Sequence, residues 1–323
     1  MRLDIISFPF FLALALAISL AFNLYAESGS KVPTLVLVGG GTTPTEAIKH
    51  AMDKGGSDQA EVLYVRWAHN PLLREDKGEL KPLDPEKTPF FAFQPKTIID
   101  AVPRSELLQI EGHRIKFVDQ LKRANLIFFA GGDQDFIMDV LNTDEARCKK
   151  AVPQCKTFKD LIREKYLEGT PIIGTSAGTA IMSLIMITSD EDKGQAENFR
   201  FTSGLGLLPP EWIVDQHFDK AAGRRHRMKE AVKRHPRHYG LGIYENSAVI
   251  VLDGKWVEPV GEVNGLGSQA EVFILSGPAG DQFEPQRLRP GFQLNLQKRQ
   301  IFPKKVGASQ EQKSADAVIE KAH

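Results

Sequence analysis

The sequence predicts an α/β protein built on a doubly wound, mostly parallel sheet, with β-hairpin additions toward its C-terminal end. Three observations carry this. Apolar runs such as Leu35-Val36-Leu37-Val38 and Leu126-Ile127-Phe128-Phe129 are continuous rather than alternating, as in strands buried on both faces. These runs alternate with segments of helical spacing, which is the order of a wound sheet. The third observation is Ile172-Ile173-Gly174-Thr175-Ser176-Ala177-Gly178, an apolar run that ends in Gly-x-Ser-x-Gly and passes into a helix-compatible stretch.

From the N-terminus, a basic start at Arg2 precedes an uncharged stretch from Ile5 to Ala26, after which Glu27-Ser28-Gly29-Ser30 is polar. This reads as a secretory signal spanning residues 1–26, with Ala26 at the cleavage point and a periplasmic or secreted destination. The alternative is an uncleaved membrane anchor over residues 5–26, because about 20 apolar residues span a bilayer. A catalytic domain is expected over 31–280, followed by a polar tail over 281–323.

The first buried strand covers Val32–Val38 and ends at Gly39-Gly40-Gly41, and a helix opens at Thr45. Strands follow at Glu61–Trp67 and Asn125–Ala130, with helices around Ile115–Leu121 and Phe136–Leu141 and no regular structure assigned from Ala68 to Pro103. A helix around Phe158–Tyr166 leads into the Ser176 strand, and Ala177–Ile187 reads as a buried helix because it is apolar nearly all round. Beyond it, Trp212–Phe218 is a strand and Arg224–Arg234 a basic helix. Tyr239–Tyr244 and Ala248–Leu252 are further strands; Asp253-Gly254 turns the chain back through Trp256–Val260, and Glu271–Leu275 is the last strand.

Composition narrows the function classes. With 41 basic and 41 acidic residues, the chain lacks the basic excess of a nucleic-acid binder. Two cysteines are present, Cys148 and Cys155. In an exported protein they close a short disulfide loop; in a reducing compartment they are two free thiols.

Gly-x-Ser-x-Gly between strand and helix is the form of a nucleophile elbow, and Ser176 is its serine. Gly174 and Gly178 relieve crowding in the turn, and the N–H of Ala177 is placed to hold an oxyanion. A serine nucleophile needs a base, and of eight histidines only His217 ends an apolar strand in the second half of the chain. The base in turn needs an acid. Asp190, Glu191 and Asp192, at the end of the segment that Ser176 opens, are the candidates. The interval from Ser176 to His217 is too short for the later strands and acid of an α/β-hydrolase esterase.

Gly131-Gly132-Asp133-Gln134, Gly174-Thr175-Ser176-Ala177-Gly178, Val214-Asp215-Gln216-His217-Phe218 with arginines just beyond, and Gly240-Leu241-Gly242-Ile243 before Glu245 occur in that order. Together they resemble the cyanophycinase branch of the serine peptidase family that also contains dipeptidase E. The resemblance runs from about Leu35 to Leu275. It implies a flavodoxin-like, glutamine-amidotransferase-like fold and a serine, histidine and acid triad, with neither metal nor cofactor.

Matched residue by residue, Ser176 is the nucleophile, His217 the base and Glu191, by the dipeptidase E spacing, the acid, with Asp190 and Asp192 as rivals. Gly132 matches the glycine that forms the oxyanion hole with Ala177. Gln134, Asp215, Gln216, Arg224 and Arg227 match positions lining the substrate pocket. The chain departs from the family pattern in a segment after His217 that is one residue longer, and in Tyr244 standing where aspartate is common.

The resemblance implies a peptide partner: cyanophycin, a poly-aspartate with arginine on each side-chain carboxyl, cleaved to β-aspartyl-arginine, or other β-aspartyl peptides. Asp215 and Gln216 suit the cationic and amide parts of such a substrate, and Arg224 and Arg227 its carboxylates. A peptidase for other short or isoaspartyl peptides and a catalytically silent peptide-binding homologue are the competing readings. A homodimer is compatible with all three.

Overall fold

The computed structural model describes residues 32–69, 82–109, 112–151, 154–188, 199–219, 223–273, 275–276, 282–283 and 285–304. Residues 1–26, expected to be a secretory signal, and the acids Asp190, Glu191 and Asp192 lie outside the described residues, as does the chain from residue 305. Among the described residues no helix is long and apolar enough to cross a membrane.

The strands that organise the molecule are β1 (Thr34–Val38), β2 (Glu61–Val65), β3 (Thr97–Asp100), β4 (Leu126–Phe129), β5 (Ile172–Thr175), β6 (Ile185–Ile187), β7 (Phe201–Ser203) and β8 (Trp212–Asp215). They continue with β9 (Tyr239–Ile243), β10 (Ala248–Leu252), β11 (Trp256–Val260), β12 (Ala270–Phe273), β13 (Gln286–Leu288), β14 (Phe292–Asn295) and β15 (Gln300–Pro303). The helices are α1 (Thr45–Gly55), α2 (Arg104–Gln109), α3 (Gly112–Arg123), α4 (Gln134–Ala151), α5 (Phe158–Leu167), the single turn α6 (Ala177–Ala180) and α7 (Gly223–Arg234).

A nine-stranded sheet has the order β15-β14-β11-β10-β1-β5-β4-β2-β3. The half from β1 to β3 is parallel throughout, as the buried apolar runs require. From β10 outward the sheet is antiparallel. A second sheet, β13-β12-β9-β8, stands beside it with β8 and β9 parallel.

Alternate residues of the parallel strands feed two cores. Val36, Val38, Val62, Phe128 and Ile173 pack on one face against Ala47, Ile48, Ala51 and Met52 of α1. That helix stops where Gly56 takes the left-handed conformation at φ 106°. Leu35, Leu37, Leu63, Phe129 and Ile172 pack on the other face with Trp67, Phe117 and Phe158. There α5 starts with a capping box, Thr157 accepting from the Asp160 N–H while the Asp160 carboxylate accepts from Thr157. A third cluster lies under α7, where Met228, Ala231 and Val232 cover Ile213 and Phe218.

Three expectations are corrected. The buried helix over Ala177–Ile187 is one turn, α6, and then becomes β6, which pairs with β7. The carbonyls of Ile181 and Met182, which a continuing helix would use, accept instead from Leu205 and Leu207. The stretch from Ala68 to Pro103 holds β3, the edge strand beside β2. The polar tail over 281–323 contains β13, β14 and β15; every second residue of Phe292-Gln293-Leu294-Asn295-Leu296 is apolar, and Leu288, Leu294 and Leu296 are fully buried. The Cys148–Cys155 disulfide is formed, and Cys148 sits inside α4 rather than in a loop after it.

Candidate active site

The site lies at the carboxyl ends of β1, β4, β5, β8 and β9, where ligands sit in wound sheets. Ser176 follows β5 with φ 52° and ψ −114°, a conformation that a residue with a Cβ rarely takes. The neighbouring glycines allow it. A Cβ on Gly174 would lie 2.3 Å from the Gly178 oxygen, and one on Gly178 would lie 2.2 Å from the Phe129 oxygen. Thr179 locks the turn, taking the Val38 N–H on its hydroxyl and donating between the Val38 and Gly174 oxygens.

His217 also has positive φ, 51°. The end of β1 holds both residues: Val38 O accepts the Ser176 N–H at 3.0 Å and Gly39 O the His217 N–H at 2.7 Å. The glycine run after β1, read from the sequence only as a strand end, is the seat of the imidazole. A Cβ on Gly40 would fall 2.1 Å from His217 Cε1. On the opposite side Phe218 packs where Gly242 lacks a side chain, and its N–H bonds Ile243 O.

Ser176 Oγ is 2.8 Å from His217 Nε2, and His217 Nδ1 is 3.1 Å from Glu245 Oε2. With the ring proton on Nδ1, the imidazole donates to Glu245 and accepts from Ser176. Glu245, not the Asp190–Asp192 stretch, is therefore the acid that the described structure places on the base. It follows β9 as His217 follows β8, so the logic that singled out His217 also points to Glu245. Gly41 makes room for it, since a Cβ there would be 2.9 Å from Glu245 Cγ.

The loop after β4 flanks the serine. Gly131 approaches so closely that a Cβ on it would be 3.1 Å from Ser176 Cβ. Gly132 has φ 140°, and a Cβ there would be 2.2 Å from the Ala68 oxygen. Ala177 is the first residue of α6, and the N–H groups of a first helical turn lack intrahelical acceptors. Gly132 and Ala177 thus lie in the two segments that border Ser176.

The expected pocket residues are placed differently. Gln134 is buried at the start of α4 and donates to Ile187 O at 3.1 Å. Asp215 is 1% exposed, and Arg227, 2% exposed, binds both its oxygens; Arg224 reaches Asp215 and the Gln216 oxygen as well. Burial pushes the Asp215 carboxyl upward, and the Arg227 guanidinium opposes it. Arg227 and Asp215 therefore pair with each other. Both are buried where α7 packs against the second sheet.

Arg225, between them, binds Glu271 of β12 through two nitrogens and also the Tyr244 hydroxyl. Burial works to raise the Glu271 carboxyl, but the bonds from Arg225 and Tyr244 outweigh it and hold it below its ordinary range. Asp215 and Glu271 of the second sheet thus staple Arg224, Arg225 and Arg227 of α7.

Comparison with known proteins agrees with this architecture. Residues 102–258 match peptidase family S51. A cyanophycinase of Geminocystis herdmanii is 28% identical over 175 residues, covering 53% of this chain and 56% of that protein. A cyanophycinase of Nostoc sp. is 31% identical over 157 residues, covering 48% and 47% respectively. The chain spans about half the length of the curated relatives it matches. The crystal structure of a peptidase from an acI-B1 Actinobacterium shares the fold, with a TM-score of 0.55 at 18% identity over 83% of this chain and 98% of that one. The matched segment, residues 102–258, carries Ser176, His217 and Glu245 together.

Proposed function

We propose that the protein is a serine peptidase of cyanophycinase type. The observation that carries this is the unbroken chain from Ser176 Oγ through the imidazole of His217 to Glu245, on a strained turn beside Gly131 and Gly132. His217 Nε2 takes the proton as Ser176 Oγ attacks the scissile carbonyl, and Gly132 and Ala177 supply N–H groups to the oxyanion. The His217 imidazolium then protonates the leaving amine, and an acyl ester remains on Ser176. Water, losing its proton to His217, attacks that ester, and the acid product leaves as Ser176 Oγ takes the proton back from His217.

Cyanophycin is the leading substrate, because relatives bearing that activity in their names match about half of this chain. One observation favours the related reading, a peptidase of other short or isoaspartyl peptides: Asp215 and Arg227 are spent on each other. The deciding experiment incubates the purified protein with cyanophycin, β-aspartyl-arginine precursors and ordinary dipeptides, beside Ser176→Ala. We expect β-aspartyl-arginine release that falls by on the order of 10⁴-fold or more in the variant. Undiminished hydrolysis by Ser176→Ala overturns the mechanism; binding without turnover of any peptide establishes the silent homologue instead.

We also propose export with cleavage after Ala26, which the Cys148–Cys155 disulfide supports, since such bonds persist in oxidising compartments. N-terminal sequencing of the native protein checks it, and a mature chain beginning at Met1 would rule out cleavage.

A further inference from the structure

We infer that Asp219 is a positioning residue, acting through Glu245 to set the imidazole of His217; the inference rests on the serine-peptidase reading. Asp219 lies two residues after His217, in the turn between β8 and α7, and its residue is exposed. Its Oδ1 accepts the backbone N–H of Glu245 at 2.7 Å. That bond ties the turn bearing the base to the turn bearing the acid, independently of the Nδ1 to Oε2 contact it supports.

Bonds on either side of it brace the two turns. The Glu245 turn is fixed from one side by the β1 loop: Asn246 donates its N–H to Gly40 O at 2.8 Å and accepts from Thr42 N at 2.7 Å. The His217 turn is fixed by Gly39 O and Ile243 O. The Asp219 bond acts on Glu245 itself, at the residue whose carboxylate must meet Nδ1. A free turn at Glu245 would let the carboxylate leave the ring, and a misplacement of about 1 Å near a reacting group costs up to about 10²-fold in rate.

The acceptor oxygen, not the charge, is what this role requires. Asp219→Asn keeps the oxygen and Asp219→Ala removes it. We expect kcat to fall about tenfold or more in Asp219→Ala with KM within about twofold of the parent, and Asp219→Asn to recover most of the loss. The second readout is the low-field proton resonance of His217 Nδ1–H, assigned by its absence in His217→Gln. It should persist in the parent and Asp219→Asn and vanish or move upfield in Asp219→Ala. Parental kcat and resonance in Asp219→Ala overturn the inference, as does an Asp219→Asn variant as impaired as Asp219→Ala with a raised KM, which would make Asp219 a contact for a substrate charge. If the parent cleaves no peptide, the serine-peptidase reading fails, and the resonance alone still decides the role of Asp219.

Discussion

The imidazole of His217 occupies the space that a side chain on Gly40 would fill, with Cε1 2.1 Å from where that Cβ would sit. A residue more than 170 positions earlier in the chain thus shapes the seat of the base. Gly40 has φ 109°, which adds backbone strain to the clash for any other residue.

Gly40→Ala should therefore lower kcat/KM by on the order of 10³-fold or more, because the ring is displaced from Ser176. Gly254→Ala is the control. Gly254 also has positive φ, 55°, but nothing lies within 4 Å of its absent Cβ. It should cost about 1–2 kcal/mol of stability and leave kcat/KM unchanged. Steady-state kinetics and urea unfolding of both variants check the pair; equal kinetic losses would show that strain rather than the imidazole contact is responsible.

The buried ion pair makes a prediction of a different kind. Removing one partner of such a pair leaves an uncompensated charge, whereas replacing both can be near neutral. Asp215→Leu should cost about 3–5 kcal/mol in urea unfolding, since Arg227 would remain buried without the carboxylate that binds two of its nitrogens. The double variant Asp215→Leu, Arg227→Met should recover most of it. A single variant of parental stability with weakened substrate binding would return Asp215 to the substrate pocket.

How far the sequence reaches follows from where the information resides. The parallel half of the sheet was legible because strands buried on both faces must be apolar throughout, as Leu35–Val38 and Leu126–Phe129 are. Ser176 and His217 were legible because each ends such a strand. Glu245 follows β9 in the same way, but linear spacing from Ser176 points to Glu191, while the sheet brings Glu245 to the imidazole from 28 residues beyond it. The pairing of Asp215 with Arg227 depends on α7 packing across β8, which composition does not reveal. The strand β6 was hidden because Ile185-Met186-Ile187 continues an apolar run whose helical reading fails only through Leu205 and Leu207.

Acid sensitivity has an identifiable contributor outside the site. Hydrogen bonds from Lys149 and Lys159 lower the Glu145 carboxyl from the ordinary 4.5 to about 2. A carboxyl depressed in the folded state contributes stability that is complete above its unfolded value and is lost as pH falls through its folded value. That window runs here from about 4.5 down to about 2. Glu145→Gln should flatten the fall of unfolding free energy across it, by a modest amount because solvent screens the partly exposed group. Denaturation at several pH values measures this, and parallel curves for parent and variant would exclude the contribution.

The identity of the triad acid can be decided by four single variants. His217 Nδ1 lies 3.1 Å from Glu245 Oε2, and with the ring proton on Nδ1 the carboxylate receives it. A carboxylate in that place fixes the tautomer that leaves Nε2 free to accept from Ser176 and steadies the imidazolium that forms. Glu245→Gln retains the size of the side chain but offers an amide that can also donate to Nδ1, favouring the wrong tautomer. It should cut kcat by on the order of 10²–10⁴-fold with KM little changed, since the loss falls on the transition state. Glu191→Gln, with the imidazole proton already taken, should stay within about tenfold of the parent. Asp190→Asn and Asp192→Asn should behave likewise. Kinetics of the four single variants separate the assignments: a severe loss confined to Glu191 would restore the acid to the segment after α6 and make the Glu245 contact a bystander.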